Sequence, residues 1–290
     1  MDIRFRLAVV CLVSGPVSLC AGGLESRTPY HSASDAVARP GSQVPLTAWF
    51  SHSAGVQKSL EHAPVRVEWL VDGAWTPIGE ATTDEEGKAV LAVKAPAKPG
   101  SVKVRWWYEQ QPAEGTLFVI GPGQAASVFD IDGTLTMSDA ENWKDYLRRL
   151  GRHPRAEGPK LRPNAVEAVK RASEGSLVVY LTGRPPWLGR PTREWLAHHR
   201  FPEGVVVWMP LARDILPTQK RVGEAKLAQL KSMQNTGLTF IRAFGNALTD
   251  IHAYEGAGIP KAQTYIMGKH GGKGGTVQGG NGYPVKGIPD

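Results

Sequence analysis

Cysteine is scarce in this chain of 290 residues, which contains only two. Both of them, Cys11 and Cys20, lie within the first 22 residues. Beyond that segment the sequence has no residue for a disulfide, a thiol nucleophile or a cysteine metal site. It also has no later run of about 20 apolar residues, the length that a membrane-spanning helix requires. We therefore predict no transmembrane span in the mature chain.

The N-terminal segment has the pattern of a secretory signal. Arg4 and Arg6 precede the uncharged run "LAVVCLVSGPVSL", and small residues follow at positions 21–23. This pattern predicts a signal peptide over residues 1–22 and export, either to a periplasm or out of the cell. A buried N-terminal helix is the alternative. Lipid attachment at Cys20 is less favoured. Lipoprotein signals have Gly, Ala or Ser immediately before the cysteine, whereas this chain has Leu19.

The formal net charge of +7 is spread along the chain. Such a charge favours binding to anionic surfaces such as phospholipid headgroups, although it also increases solubility. The sequence contains no nucleic-acid-binding motif, so we predict no nucleic-acid partner. It gives no indication of protein partners.

Residues 23–40 are polar without a period and are predicted to be a linker. In "PVRVEWLVDGAW" the residues Val65, Val67 and Trp69 alternate with polar ones, and Asp72-Gly73 supplies a hairpin turn. Similar short runs continue to residue 120. We predict an immunoglobulin-like β-sandwich over residues 41–120, with no clustered His, Asp or Glu.

The period changes after the glycine-rich stretch at 121–126. Short apolar runs such as "SVFDID", "LVVYLTG" and "GVVVWM" alternate with helical segments around 140–150, 163–173, 191–199 and 221–233. This alternation predicts an α/β, Rossmann-like domain over residues 124–268, with a parallel sheet and helices on both faces. The glycine-rich residues 269–290 are predicted to be a flexible tail.

Two carboxylates follow the first strand of this domain in "FDIDGT". Asp130 is the last residue of the strand, at the edge of the sheet where parallel sheets usually carry their active sites. Asp132 follows in the loop. A carboxylate there can attack a phosphoryl group if a cation such as Mg²⁺ offsets the repulsion, and the second carboxylate can transfer protons. The alternative is an ordinary strand-end turn, since Asp and Gly are common in turns.

The order of the motifs resembles the haloacid dehalogenase superfamily. "VVYLTGR" supplies Thr182 after the second strand, and "AFGNALTD" supplies Asn246 and Asp250. Over residues 125–268 the sequence is most similar to the catalytic domain of the lipin-type phosphatidate phosphatases, which are also understood to carry an immunoglobulin-like sandwich. This resemblance implies a haloacid dehalogenase domain without a large cap, preceded by that sandwich.

The resemblance also implies roles for individual residues. The catalytic residues would be Asp130 as nucleophile, Asp132 as general acid and base, Thr182 holding the phosphoryl group, and Lys226 offsetting its charge, with Lys220 as the second candidate. The substrate-binding residues would be Gly133, Thr134, Gly183 and Arg184. The Mg²⁺ ligands would be Asp130, Asp132 through its main-chain carbonyl, and Asn246, with Asp250 supporting them. The chain departs from the lipin pattern at Gly183, where lipins read Ala, and at Ala247, where they read Arg.

The spacing of the motifs leaves room for no sizeable lid, so the site is expected to be open to a large or membrane-embedded substrate. Trp187, Arg190 and Trp195 follow the second motif and are candidates for a headgroup interface, or else for packing under the sheet. We predict an exported, Mg²⁺-dependent phosphatase that converts phosphatidate to diacylglycerol and phosphate at a membrane surface. The alternatives are a phosphatase of soluble phosphomonoesters or phosphoproteins, and a phosphatidate-binding module without turnover.

Overall fold

The computed structural model describes residues 28–53, 57–137, 158–208, 219–279 and 283. The predicted signal peptide and the helix predicted around 140–150 lie outside the described residues. None of the helices in the described ranges has the length and apolar character needed to cross a membrane.

The first part of the described chain consists of short strands that pack as layers. The strands are β1 (Thr28–Pro29), β2 (Ser32–Ala33), β3 (Ala36–Ala38), β4 (Gln43–Trp49), β5 (Ser51–Ser53), β6 (Gln57–Ser59), β7 (Pro64–Val71), β8 (Ala74–Thr82), β9 (Lys88–Lys94), β10 (Gly100–Tyr108) and β11 (Gln111–Val119). A five-stranded sheet in the order β3-β11-β10-β7-β8 faces a three-stranded sheet, β2-β4-β9, and β1-β5-β6 form a small third sheet. The facing sheets share one apolar core, and we refer to this part as the β-layer.

The period-2 pattern accounts for the hairpin of β7 and β8. Val65 and Val67 on β7 are buried, whereas Arg66 between them is exposed. Asp72 and Gly73 both have positive φ angles, which suits the two-residue turn that joins β7 to β8. The predicted turn is therefore confirmed. The immunoglobulin-like assignment itself stays a prediction.

The linker predicted over residues 23–40 is wrong for its described part. Strands β1, β2 and β3 lie within it, and β3 pairs in parallel with β11. Ala33, Val37 and Ala38 are buried there. The segment contributes few and mostly small apolar residues, so it shows no sequence period although it belongs to the core.

The second part of the chain is a six-stranded parallel sheet with helices. Its elements are β12 (Ala125–Asp130), α1 (Ala165–Ser173), β13 (Leu177–Leu181), α2 (Gly189–His198), β14 (Val205–Val207), α3 (Gln219–Asn235), β15 (Thr239–Gly245), α4 (Leu248–Gly256), β16 (Thr264–Ile266) and β17 (Val277–Gln278). The strand order is β14-β13-β12-β15-β16-β17, and every pair is parallel. Strand β12 is therefore flanked on both sides, and its end at Asp130 lies between the ends of β13 and β15.

Two apolar clusters cover the two faces of this sheet. One cluster contains Leu230 and Met233 of α3 and Tyr254 of α4, and the other contains Val169 of α1 and Trp195 of α2. Burial of these apolar side chains holds the helices against the strands. The haloacid dehalogenase assignment of this domain remains a prediction.

The flexible tail predicted over residues 269–290 is wrong for its described part. Val277 and Gln278 form β17, which pairs with β16 at the edge of the sheet. Tyr283 is 2 % exposed and its ring lies 5.7 Å from that of Phe244. The many glycines concealed this order, because the anchoring depends on a few side chains rather than on a periodic pattern.

Asp35 joins the β-layer to the parallel sheet. Its carboxylate accepts hydrogen bonds from the backbone amides of Thr116 on β11 and Val206 on β14, both at 2.7 Å. The Arg193 guanidinium of α2 donates to both of its oxygens, at 2.8 and 3.0 Å. The Asp35 side chain is fully buried. One carboxylate therefore joins a strand of the β-layer to a strand and a helix of the second part of the chain.

Candidate functional site

The candidate site lies at the carboxyl ends of the parallel strands. Asp130 ends β12, Thr182 follows β13, and Asn246 follows β15. After Asp130 the chain turns through Gly133, which has a φ of 75° and can adopt this left-handed conformation because it lacks a Cβ. The Gly133 amide donates to the Thr136 hydroxyl at 2.9 Å, which holds the turn closed.

Lys226 lies between two buried carboxylates. Its ammonium donates to Asp130 Oδ1 and to Asp250 Oδ1, both at 2.6 Å, and all three side chains are 5 % exposed or less. Burial would lower the pKa of Lys226, but the two carboxylates raise it above its ordinary value. Burial raises the pKa of Asp130 well above its ordinary value, against the effect of Lys226, and Asp250 and Asp132 raise it further. One ammonium between two carboxylates leaves the group short of positive charge.

The Asp250 carboxylate is also bonded to the backbone. Its second oxygen accepts the backbone amides of Asn246 and Ala247, at 2.9 and 3.0 Å, at the start of α4. An acidic side chain in this position stabilises the N-terminus of a helix. Both oxygens of Asp250 are therefore already bonded within the protein, which fits the supporting role and not direct metal ligation.

Two side-chain oxygens converge beside Thr134. The Thr134 hydroxyl lies 3.0 Å from Asp130 Oδ2 and 3.2 Å from Asn246 Oδ1. Carboxylate and amide oxygens are the donors that Mg²⁺ prefers, together with several waters. In the described ranges no group of three His, Cys, Asp or Glu could hold a metal ion. A cation here would rely on this pair, on water and on ligand oxygens, and the deficit of positive charge beside Asp130 fits one.

Asp132 is held by a separate ion pair. Arg184 Nη2 lies 2.7 Å from Asp132 Oδ1, and Arg184 Nε lies 3.1 and 3.2 Å from its two oxygens. The Thr182 hydroxyl donates to Asp132 Oδ2 at 2.9 Å. Arg184 in turn donates to the Thr192 hydroxyl of α2 at 2.8 Å. The Asp132 carboxylate must give up part of this ion pair before it can take or give a proton.

Two further residues support the turn, and no sequence motif predicted either of them. Arg162 donates to the carbonyls of Gly133 and Thr134, at 2.5 and 3.0 Å. The Tyr283 hydroxyl donates to the Thr134 carbonyl at 3.2 Å. Both side chains are buried. Neither residue lies in a motif, because each acts on the backbone of the turn and is brought to it by the tertiary fold.

The structure separates the two lysine candidates. Lys226 is buried in the site, whereas the side chain of Lys220 is 85 % exposed and pairs with Glu224 at 3.8 Å. Gly183 lies between Thr182 and Arg184 and is half-buried. The other predicted site residues, from Asp130 to Asp250, meet in one cluster.

Of the two alternatives for this stretch, packing under the sheet is confirmed for Trp195 and a headgroup interface is not. Its ring is 4 % exposed and its Nε1 donates to the Pro159 carbonyl at 2.9 Å, so it belongs to the core. Trp187 is half-buried, and the side chain of Arg190 is exposed beside Glu194. The sequence around Trp187 and Trp195 has no regular alternation, so it does not show which of the two rings is buried in the core.

Comparison with known proteins shows which domain this part of the chain is similar to. Residues 127–268, which include every candidate site residue, match the family model described as the LNS2 domain of PITM 1-3. The prediction of a lipin-type catalytic domain is therefore wrong.

Curated relatives are similar along most of the chain. Protein retinal degeneration B of Drosophila melanogaster is 28% identical over 252 residues, or 84% of this chain and 18% of that protein. Membrane-associated phosphatidylinositol transfer protein 1 of Rattus norvegicus is 29% identical over 83% of this chain and 19% of its own length. Protein 3 of the same name from Mus musculus is 27% identical over 85% of this chain and 24% of its own. The chain thus spans about a fifth of the length of these relatives.

These relatives also correct the predicted activity. Two of the three are named as phosphatidylinositol transfer proteins, and none of the three is named as a phosphatase. The predictions of a hydrolase, of an aspartyl-phosphate intermediate and of phosphatidate hydrolysis are wrong. The motif "DIDGT" suggested them because two carboxylates at the end of a parallel strand suit phosphoryl transfer.

Proposed function

We propose that this chain is a phospholipid-binding module that takes a phosphomonoester headgroup, that of phosphatidate, at a membrane surface without hydrolysing it. The match to the LNS2 domain and the similarity to membrane-associated phosphatidylinositol transfer proteins support a lipid ligand. Export to a periplasm or out of the cell remains a prediction, because it rests on residues 1–22, outside the described part of the chain.

The observation that carries the proposal is that the carboxylates of the site are already paired by donors of the chain. Lys226 bonds Asp130 and Asp250, and Arg184 with Thr182 bonds Asp132. An unpaired cluster of three carboxylates would repel a phosphate dianion, whereas pairing with Lys226 and Arg184 cancels most of that negative charge. The ion pair of Asp132 also leaves it unsuited to proton transfer, which supports binding without turnover.

We also propose that Mg²⁺ accompanies the headgroup. Asp130 Oδ2 and Asn246 Oδ1, which converge beside Thr134, would hold it. The ion would supply positive charge between the carboxylate and the phosphate oxygens. Asp250 would support these residues from behind.

Vesicle flotation with the full chain tests the proposal. Phosphatidylcholine vesicles would carry phosphatidate, phosphatidylserine or phosphatidylinositol at equal mole fraction, with Mg²⁺ or with chelator, and phosphate release would be measured in parallel. We expect binding to phosphatidate above the other anionic lipids, strengthened by Mg²⁺, and no release of phosphate. Equal binding to all three anionic lipids would overturn the headgroup assignment, and release of phosphate would overturn binding without turnover.

Thr182→Val tests whether the headgroup occupies this site. It removes, at nearly constant shape, the hydroxyl that donates to Asp132 Oδ2, so that this carboxylate is less well paired and repels the phosphate more. We expect the affinity for phosphatidate vesicles to fall by about tenfold. Thr239→Val, at an exposed position at the start of β15, is the matched control and should bind as the unaltered protein does. If both variants bind phosphatidate vesicles equally well, the lipid contacts another surface.

A further inference from the structure

The edge of the parallel sheet where the candidate site lies carries exposed charge of one sign. In a parallel sheet the strands end at this edge, and the helices that connect them begin there. Its described segments are 131–137, 158–164, 182–190, 219–221, 246–250 and 267–270. The exposed charged side chains of these segments are all basic: Lys160, Arg190, Lys220, Arg221 and Lys269. The acids in them, Asp132 and Asp250, are carboxylates of the site that already have cationic partners.

The opposite edge carries exposed charge of both signs. There the helices end and lead into the next strands. The exposed residues at this edge include the acids Glu174, Glu203 and Glu255 and the bases Lys170, Arg200 and Lys261. The excess of exposed positive charge therefore lies on the side of the candidate site.

Acidic side chains in the second turns of two helices offset this charge only in part. Arg190 lies 2.9 Å from Glu194, and Lys220 lies 3.8 Å from Glu224. All four side chains are more than half exposed, and such surface pairs are weak and are screened by salt. The edge thus stays positive.

The same edge carries exposed apolar side chains. Among the described residues from 125 onward, the exposed large apolar side chains are Met137 and Leu248, each 48 % exposed. Met137 follows the turn after Asp130, and Leu248 begins α4 directly after Asn246 and Ala247. Single exposed apolar residues are common on proteins. Here, however, both of them follow segments of the candidate site and lie among basic side chains.

Two backbone hydrogen bonds place basic residues beside these segments. The Met137 amide donates to the Lys160 carbonyl at 2.9 Å, which brings this lysine next to an exposed apolar residue. The Met267 amide donates to the Gly245 carbonyl at 2.7 Å. Lys269, which follows Met267, therefore leaves the sheet beside the end of β15.

The first turns of α3 and α4 also lie side by side. A Cβ on Gly223 would stand 3.5 Å from the Thr249 carbonyl oxygen, so the two helices are in contact there. Lys220 lies about one turn before Gly223, and Leu248 directly precedes Thr249. The exposed apolar side chain at the start of α4 is thus next to the basic start of α3.

Basic and apolar side chains in this combination suit the surface of an anionic bilayer. Lys and Arg near an anionic leaflet are attracted to its headgroups, and their alkyl stems can lie along apolar material. A Met or Leu side chain gains free energy when it leaves water for the boundary between headgroups and acyl chains. The core of a protein interface is depleted in charged residues, so a protein partner fits this edge less well.

We propose that this edge is the face with which the chain docks on an anionic phospholipid bilayer. The docking face consists of the five exposed basic residues of the edge together with Met137 and Leu248. The candidate site would then open toward the leaflet, so that a phosphate headgroup can enter it while the acyl chains stay in the bilayer. This role rests on the phospholipid-binding function proposed above and adds to it the surface that meets the membrane.

Vesicle flotation of the full chain with two double variants tests the charge of the docking face. Lys160→Gln with Lys269→Gln removes two charges from it. Lys170→Gln with Lys231→Gln removes two charges at exposed positions near the ends of α1 and α3, and it is the matched control because both variants have the same net charge. On phosphatidylcholine vesicles that carry phosphatidate, we expect about fivefold weaker binding for each lysine lost from the docking face, or about twenty-five-fold for the pair. The control should change by less than about twofold, and equal affinity of the two double variants would refute the docking face.

Leu248→Ala tests the apolar contact with the bilayer. Val90→Ala, at a position of β9 in the β-layer that is 46 % exposed, is its control. We expect about fivefold weaker binding to the same vesicles for Leu248→Ala and no change for Val90→Ala. All the altered positions are exposed, so the thermal unfolding of each variant should match that of the unaltered protein. If the two alanine variants bind equally well, Leu248 does not enter the bilayer and this part of the proposal is wrong.

A soluble ligand separates the docking face from the headgroup site. Dihexanoyl phosphatidate below its critical micelle concentration offers the headgroup without a bilayer, and calorimetric titration measures its binding. We expect the docking-face variants to bind it as the unaltered protein does, whereas Thr182→Val should bind both the soluble ligand and the vesicles more weakly. Weaker binding of the soluble ligand by the Lys160 and Lys269 double variant would overturn the docking face, because these lysines would then act at the headgroup site. An unaltered protein that binds vesicles through the docking face but does not bind the soluble ligand would instead overturn the headgroup site.

Discussion

Replacement of Asp35 by alanine should separate the β-layer from the parallel sheet. The Asp35 carboxylate lies in the interior between β11, β14 and α2, and it accepts four hydrogen bonds at 2.7 to 3.0 Å. Alanine removes all four at once. The amides of Thr116 and Val206 would lose their acceptor, and the Arg193 guanidinium would lose its counter-charge.

The expected cost follows from the burial of each partner. Removing one member of a buried ion pair typically costs about 3–5 kcal/mol, because the other charge stays uncompensated. The Arg193 side chain is 25 % exposed and can partly regain water, which favours the lower half of that range. Water that enters the space left by the carboxylate can also reach the amides. We expect a loss of about 3 to 4 kcal/mol in the free energy of unfolding, a large share of the about 5–15 kcal/mol of a typical protein.

Urea unfolding followed by circular dichroism and by tryptophan fluorescence measures this loss. Because Asp35 joins two sheets, the variant should also unfold in two steps, with the two signals no longer coinciding. Glu114→Ala is the control, since Glu114 forms a surface pair with Arg105 and is 60 % exposed. Such a pair contributes about 0–1 kcal/mol. A loss for Asp35→Ala no greater than that of the control would refute the inference that Asp35 joins the sheets.

Three further predictions concern single sites. Lys226→Met should lower the free energy of unfolding by about 3–5 kcal/mol, because it leaves two carboxylates buried without a cation. Lys220→Met, at an exposed position, should change it by less than about 0.5 kcal/mol. Urea unfolding measures both changes. Burial, with nearby His52 adding, lowers the pKa of His31 to about 4 from 6.5. The unfolded chain therefore binds the proton first as pH falls, and stability should drop by up to about 3 kcal/mol between pH 6.5 and pH 4. A pH series of urea curves should lose this slope in His31→Phe, and a slope that persists would contradict the assignment. Gly245→Ala would bring a Cβ to 2.6 Å from Asp250 Cβ and should cost about 1–3 kcal/mol in thermal unfolding, whereas Gly121→Ala, with nothing within 4 Å, should be neutral.

The regular elements of the fold could be predicted where a strong pattern was present. Strand β7 shows alternating burial, and β13 is a continuous apolar run with helices before and after it. The segment of β1 to β3 and the described part of the tail could not be predicted in this way. Asp35 and Tyr283 anchor them, and the partners of both residues are distant in sequence, so no local period marks them.

The sequence predicted where the site lies but not what its function is. Asp130, Thr182 and Asn246 each follow a strand, and parallel strands bring such residues together at one edge. The bonds that decide what the residues can do are invisible in the motif. The ion pair of Arg184 with Asp132 and the hydrogen bonds from Arg162 to the turn form only when loops that are far apart in the chain come together.

The position of Asp35 has a consequence for dissecting this chain. Strand β14 is one of the two outer strands of the parallel sheet, and its Val206 amide donates to the Asp35 carboxylate. A fragment reduced to residues 124–268 would keep every candidate headgroup residue and lose this covering. Its outer strand would then be open to pairing with the same strand of another copy, a known route to aggregation. Soluble fragments for binding studies should therefore begin before residue 28, although the residues that match the LNS2 family model start about a hundred positions later.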